Sequence, residues 1–252
     1  MLPYLQIGPV RLWTYGLMLA CGLWAGYYLF RAEMKRRNLP VNPDALMIAL
    51  AIAGLIGAKL YHAVVTVIGT QHAPLSPREF LDFSGLAWNG GLIAGFATLV
   101  WFSRARHVPL LSLLDAASPA ACIGYAFGRL GCFLAGDGDY GKPTGLPWGM
   151  SFPHGLVPTV QRVHPTPLYE IAGAVFLFFA LRIVAKREVA AGTIFAVYLV
   201  GSGVFRFAVE FIRINPPVLL GLTEAQVISL ISILVGSGLL IRARGSALVP
   251  AH

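Results

Sequence analysis

The sequence predicts an all-α polytopic membrane helix bundle of about seven transmembrane helices with a small outer cap. Three observations carry that prediction. Hydrophobic residues make up 57% of the 252 residues and charged residues 12%, about half the charged share usual in soluble domains. The apolar residues recur in long runs from one end of the chain to the other instead of forming one core-sized block. Several of these runs reach the roughly 20 residues a helix needs to cross a bilayer.

Taken in order, the runs fall at about 10–30, 45–68, 87–103, 110–135, 168–185, 190–212 and 222–241. Turn-forming residues separate them: Asn38-Leu39-Pro40 and Asn42-Pro43 after the first, His107-Val108-Pro109 after the third, Asn215-Pro216-Pro217 after the sixth. Pro119 lies inside the fourth, where a membrane helix tolerates it if neighbours satisfy the freed carbonyl. Met18-Leu19-Ala20-Cys21-Gly22 resembles a signal-peptide cleavage box. The run nevertheless stays apolar to Phe30 and has only Arg11 before it, so packing in a first spanning helix is expected. The whole chain, 1–252, reads as a single integral membrane domain. Its longest connection, 136–167, is rich in Gly and Pro and carries Trp148, Met150 and Phe152, which predicts an ordered external cap.

A net charge of +8 would suggest nucleic acid in a soluble chain, but here the placement of Lys and Arg about the spans accounts for it, and no nucleic-acid partner is expected. Eleven basic residues, from Arg31 to Arg244, fall on one side of the predicted spans. Five fall on the other: Arg11, Arg78, Lys142, Arg162 and Arg213. The richer side is cytoplasmic by the positive-inside rule, so the N-terminus is expected outside and the C-terminus inside. Cys21, Cys122 and Cys132 lie in apolar runs at no metal-ligand spacing.

Ionisable residues within or at the edge of spans are Lys59, Asp115, Arg129, Glu170, Arg206 and Glu210. A charge at mid-bilayer costs about 2.5–3.5 kcal/mol on insertion scales, so such groups are paired or functional. Glu170, beside a loop, reads first as an ion-pair partner. In the segment Gly128 to Lys142 a membrane arginine, Arg129, is followed by close-approach glycines and by Asp137 at the membrane edge. A guanidinium offers the forked donors that suit a phosphate. Asp137-Gly138-Asp139 hints at a calcium loop, but the twelfth position is Trp148 where a bidentate Glu is needed, so no metal is assigned. Arg206 and Glu210 are four apart on one helix face: either they neutralise each other, or Glu210 holds Arg206 toward a cavity. Two arginines from separate helices near one leaflet would suit a lipid phosphate.

With these residues in view, the chain resembles the prolipoprotein diacylglyceryl transferase family. The resemblance runs through Trp13-Thr14-Tyr15-Gly16-Leu17-Met18, Gly57-Ala58-Lys59-Leu60-Tyr61 and Asn89-Gly90-Gly91-Leu92-Ile93. It continues through Gly128-Arg129-Leu130-Gly131 to Gly141, His164-Pro165-Thr166-Pro167-Leu168-Tyr169-Glu170 and Phe205-Arg206-Phe207-Ala208-Val209-Glu210-Phe211. It implies a cofactor-free and metal-free transferase of lipoprotein biosynthesis in the bacterial plasma (inner) membrane. Such an enzyme moves the diacylglyceryl group of phosphatidylglycerol to the lipobox cysteine of a prolipoprotein signal peptide and releases glycerol phosphate. The implied partners are that lipid, that peptide and the surrounding membrane lipids. Arg129 and Arg206 would hold the phosphate and stabilise the leaving group. Asp137 and Glu210 would orient them or bind the headgroup, and Tyr15 would donate to the lipid. Asn89, Gly90, Gly91, Cys132, Gly141 and Tyr169 complete the implied substrate-binding set.

The chain departs from the family at four places: Asn89 stands where the third-helix motif has His, Cys132 where the signature has Asn, and Ser202 where a Tyr is common. Asp137-Gly138-Asp139 takes the place of a Glu with one residue inserted. An amide is no general base at neutral pH, so thiol activation is expected from His164 or from the acceptor's own thiolate fraction. Two other readings stay open on these residues: a related lipid transferase with another acceptor, and a non-catalytic phospholipid-binding or transport paralogue.

Overall fold

A computed structural model describes residues 1–70 and 87–247. Arg78, one of the five basic residues of the poorer side, lies outside the described residues. Seven helices stand among those described: α1 (Thr14–Arg36), α2 (Pro43–Thr70), α3 (Trp88–Ala105), α4 (Leu110–Ala135), α5 (Thr166–Val184), α6 (Thr193–Glu210) and α7 (Glu224–Ala247). Each matches one predicted apolar run. Five contain a stretch long and apolar enough to cross a membrane: Pro43–Thr66, Leu110–Ala135, Thr166–Val184, Thr193–Glu210 and Glu224–Arg244. In α1, Trp24, Tyr27, Tyr28 and the charged end from Arg31 to Arg36 dilute the apolar run, and in α3 Asn89, Ser103 and Arg104 do so.

The expected first span is corrected at its start. Val10–Trp13 is strand β2, paired antiparallel with β1 (Tyr4–Ile7), and the helix opens only at Thr14. β-Branched and aromatic residues on either side of Gly8, whose φ is +60°, favour this hairpin over a helical turn. The hairpin is anchored: Leu2 N–H donates to Leu134 O at 3.0 Å, and the Thr14 hydroxyl donates to Leu2 O.

The chain divides into two compact units. One comprises Arg31–Leu114. Within it α2 packs on α3 where Gly57 and Gly90 let the backbones meet; a Cβ on Gly90 would collide with Gly57 O and Tyr61. The other comprises Met1–Phe30 and the chain from Asp115 onward. There α1 approaches α4 at Gly22, where a Cβ would stand 2.9 Å from Phe127 Cβ, and at Gly131, where it would stand 3.0 Å from the Tyr15 ring. α6 packs against both α5 and α7, and Cys122 of α4, Leu177 and Leu181 of α5 and Ile194 of α6 share one core.

Asp115 explains itself structurally. It is fully buried, and its carboxylate accepts the N–H groups of Gly192 at 2.9 Å and Phe195 at 2.8 Å. It thus supplies a negative charge to the first turn of α6, which has no side-chain cap of its own.

The 136–167 connection contains regular structure. It holds the hairpin of β3 (Met150–Phe152) and β4 (Thr159–Val163) over a small core of Tyr140, Phe152 and Val163, with Met1, Phe133 and Met150 packed against it.

Candidate functional site

Arg129 sits in the last two turns of α4, Glu170 in the first two of α5, and Arg206 and Glu210 at the end of α6. Placing these on separate helices would leave bare charges in an apolar bundle, and the fold resolves this by bringing them together. Arg129 Nε lies 3.4 Å from Glu170 Oε2, and Arg206 Nη1 donates to Glu170 Oε1 at 3.0 Å. The same Oε1 accepts the Tyr125 hydroxyl at 2.6 Å, and the Tyr125 ring carries the Arg129 guanidinium 5.0 Å from its centroid.

A third arginine completes the cluster. Arg213 donates to Glu170 Oε2 at 3.2 Å and to Asp139 Oδ1 at 2.5 Å, and Arg129 pairs with Asp139 Oδ2. Glu210 is held by Arg206 at 3.0 Å, by Arg213 at 3.7 Å and by the Asn215 amide at 2.6 Å. Three arginines therefore face three carboxylates, Asp139, Glu170 and Glu210, and the formal charges cancel.

Backbone pairing sets this geometry. Gly141 bridges Arg213, with Lys142 N–H on Ile212 O at 2.8 Å and Gly141 N–H on His164 O at 2.9 Å. A Cβ at 141 would strike Ile212 O, so only Gly lets the strand-like segment pass. Gly138, at φ +96°, lies between the two aspartates in a left-handed turn. Asp139 faces the arginines. Asp137 accepts Asp139 N–H at 3.2 Å, and both carboxylates lie within 4.8 Å of the Cys132 thiol. Burial penalises both acids. It raises the Asp137 pKa above the ordinary carboxylate value, whereas at Asp139 the charges of Arg129 and Arg213 outweigh it and lower the pKa.

The other sequence-predicted residues are placed as follows. Tyr15 packs on Gly131 in the first turns of α1 and stays partly exposed. His164 has its Nδ1 3.3 Å from the Tyr169 hydroxyl, which also accepts the Trp148 indole N–H at 2.8 Å. Trp148, Tyr169, Met150 and Leu168 line an open groove of about 710 Å³. Asn89, Gly90 and Gly91 belong to the other compact unit, in the first turn of α3, where Gly90 is buried in the crossing with α2.

Sequence reasoning did not single out Asp139, which the structure puts on two arginines, passed over Tyr125, and read Glu170 as a simple pair partner when it contacts three arginines. It counted Arg213 with a loop, yet the side chain is only 7% exposed. One signal was present: Arg213 is three past Glu210 and seven past Arg206, on the same helical face. As for metals, Cys132, Asp137 and Asp139 form a group among the described residues with ligand atoms within 4.8 Å of one another. Asp139, however, already has an arginine on each carboxylate oxygen, which leaves poor donors for a cation.

Against this geometry, the comparisons with known proteins point one way. The profile of the family described as prolipoprotein diacylglyceryl transferase matches residues 3–242. A protein of Methylococcus capsulatus named phosphatidylglycerol–prolipoprotein diacylglyceryl transferase is 34% identical, over 93% of this chain and 92% of its own. Proteins of the same name from Geobacter sulfurreducens and Clostridium tetani are 34% and 31% identical, over 87% and 92% of this chain and 84% and 93% of theirs. The chain therefore belongs to the prolipoprotein diacylglyceryl transferase family.

Proposed function

We propose that this protein transfers the diacylglyceryl group of phosphatidylglycerol to the lipobox cysteine thiol of a prolipoprotein signal peptide. A sulfur–carbon bond forms to the glyceryl carbon, the carbon–oxygen bond to phosphate breaks, the thiol proton passes to a base, and glycerol phosphate leaves. The observation that carries this reading is the convergence of Arg129 and Arg206, from different helices, on Glu170.

In this reading the chemistry needs little more than positioned positive charge where the leaving phosphate gains negative charge. One such donor in a water-poor site is worth about 10²–10³ in rate. Arg129 and Arg206 remain 18% and 24% exposed, so their outer faces can reach a ligand while Glu170 fixes their inner ones. Glu210, fully buried between Arg206 and Arg213, acts as a positioning residue. Asp137 and Cys132, beside Tyr15, suit the polar headgroup; Tyr15 donates to the lipid. Gly141 keeps the backbone close, and Tyr169, in contact with His164, borders the apolar groove. Asn89, Gly90 and Gly91 contribute to substrate binding through the α3 motif. The protein works in the bacterial plasma membrane as one integral membrane domain, N-terminus outside and 136–167 as an outer cap.

The test is incubation of the purified protein in phosphatidylglycerol vesicles with a lipobox peptide. The peptide should gain the mass of one diacylglyceryl group while glycerol phosphate appears. An unmodified peptide alongside retained lipid binding would favour a phospholipid-binding paralogue, and modification of some other acceptor a related transferase.

A further inference from the structure

We propose that Asp139 is an internal stand-in for the lipid phosphate: it occupies Arg129, one of the two guanidinium groups proposed to hold the phosphate, together with the neighbouring Arg213, and is displaced when the phosphate binds. The inference rests on the transferase reading above and deepens it at the same site.

The charge count sets the problem. Arg129, Arg206 and Arg213 are balanced by Asp139, Glu170 and Glu210, so a phosphodiester entering this cluster adds an anion to a neutral set. Repulsion is avoided only if one carboxylate withdraws. Glu170 cannot: its side chain is 3% exposed and meets Tyr125 and all three arginines. Glu210 is 0% exposed and held by Arg206, Arg213 and Asn215. Asp139 is different. Its side chain is 31% exposed and its carboxylate lies on Arg129 through one oxygen and Arg213 through the other.

That bridging geometry is also what two non-ester oxygens of a phosphate would adopt between two guanidinium forks. The Asp139 backbone is pinned, its carbonyl taking the Thr166 hydroxyl at 2.6 Å, so displacement needs only a side-chain rotation. A carboxylate in this place also helps product leave. Glycerol phosphate is a monoester with a second ionisation near pH 6 and so carries more charge than the diester lipid. Three arginines balanced only by Glu170 and Glu210 would hold it more tightly than substrate. A returning carboxylate offsets that preference.

The test uses Asp139→Asn and Asp139→Ser in detergent-solubilised full-length protein, with two measurements. Binding of glycerol phosphate and of inorganic phosphate is followed by calorimetry, without turnover; transfer to a lipobox peptide gives KM and kcat separately. Removing the competing charge should tighten both phosphates by about tenfold or more and lower KM for phosphatidylglycerol, while kcat falls because product leaves slowly. Asp139→Glu should restore the unaltered behaviour in part. Unchanged or weaker phosphate binding in both variants, or a kcat loss with KM unchanged, would overturn the proposal and leave Asp139 as scaffold. If phosphate binding tightens in a protein that transfers nothing to any peptide, the displacement stands and the transferase reading falls.

Discussion

Arg129 and Arg206 meet on opposite oxygens of one carboxylate: Arg129 Nε lies 3.4 Å from Glu170 Oε2 and Arg206 Nη1 lies 3.0 Å from Oε1. Arg213 approaches the Arg129 side at 3.2 Å. Glu170 is thus the common partner that sets the spacing of the cations proposed to hold the lipid phosphate.

Glu170→Gln should therefore be far more damaging than an ordinary neutralisation. It leaves three arginines against two carboxylates in a buried setting and turns an acceptor oxygen into a donor facing a guanidinium. Breaking one side of such a pair costs about 3–5 kcal/mol. The expected outcome is a large drop in thermal stability in detergent together with loss of peptide modification. Wild-type stability in Glu170→Gln would show that the arginines are placed by something else.

How much of this was legible beforehand follows from what each feature depends on. The seven helices were readable because run length and apolarity are local properties, and their ends moved by no more than six residues. The start of α1 was misjudged because Val10 to Trp13 is apolar enough for a span, and only pairing with Tyr4 to Ile7 makes it a strand. Arg129, Arg206 and Glu210 were found because a charge within an apolar run is conspicuous. Arg213 was not, because Asn215-Pro216-Pro217 marks a loop and hides the burial that the Gly141 bridge imposes. Choosing Asp139 over Asp137 depends on the backbone at Gly138, whose φ of +96° no residue pattern reveals.

The two aspartates should separate in a pH series. Asp139 has a folded pKa below its unfolded value, so its stabilisation is complete above the ordinary carboxylate pKa of about 3.9 and is lost as pH falls through the lowered value. Asp137, raised by burial, has the opposite sign: its contribution favours the fold at low pH and fades as pH rises through the raised value. In thermal melts from neutral to acid pH, Asp139→Asn should flatten the acid loss of stability. Asp137→Asn should raise the melting temperature near neutrality. The same slope in both variants would contradict the opposed shifts.

Membrane orientation is testable independently of the chemistry. The eleven-to-five bias of basic residues predicts an inner position for the α3–α4 connection and an outer one for the 136–167 segment. Reporter fusions after Arg106 and after Lys142 should give opposite signals, with Lys142 outside. If both report the same side, α4 does not cross.

The remaining question is which group takes the thiol proton, since Asn89 cannot at neutral pH. The Trp148 indole can only donate, so the Tyr169 oxygen accepts there and is left with one lone pair and its own hydrogen for His164 Nδ1 at 3.3 Å. If His164 Nδ1 carries the proton and gives it to Tyr169, the far nitrogen, Nε2, keeps a lone pair for a thiol. Tyr169 would then fix the tautomer much as a second group orients a catalytic imidazole. Peptide modification should fall by about 10²–10⁴-fold in His164→Ala, the range general-base catalysis contributes, and by less in Tyr169→Phe, which loses orientation but not the base. The falls should shrink as pH rises and the acceptor cysteine supplies its own thiolate. A gain in Asn89→His with no loss in His164→Ala would mean that the α3 position remains the natural place for a base and that His164 serves only the cap. Activity in neither the unaltered chain nor His164→Ala nor Asn89→His, with phosphatidylglycerol still bound, would favour a lipid-binding protein over either transferase reading.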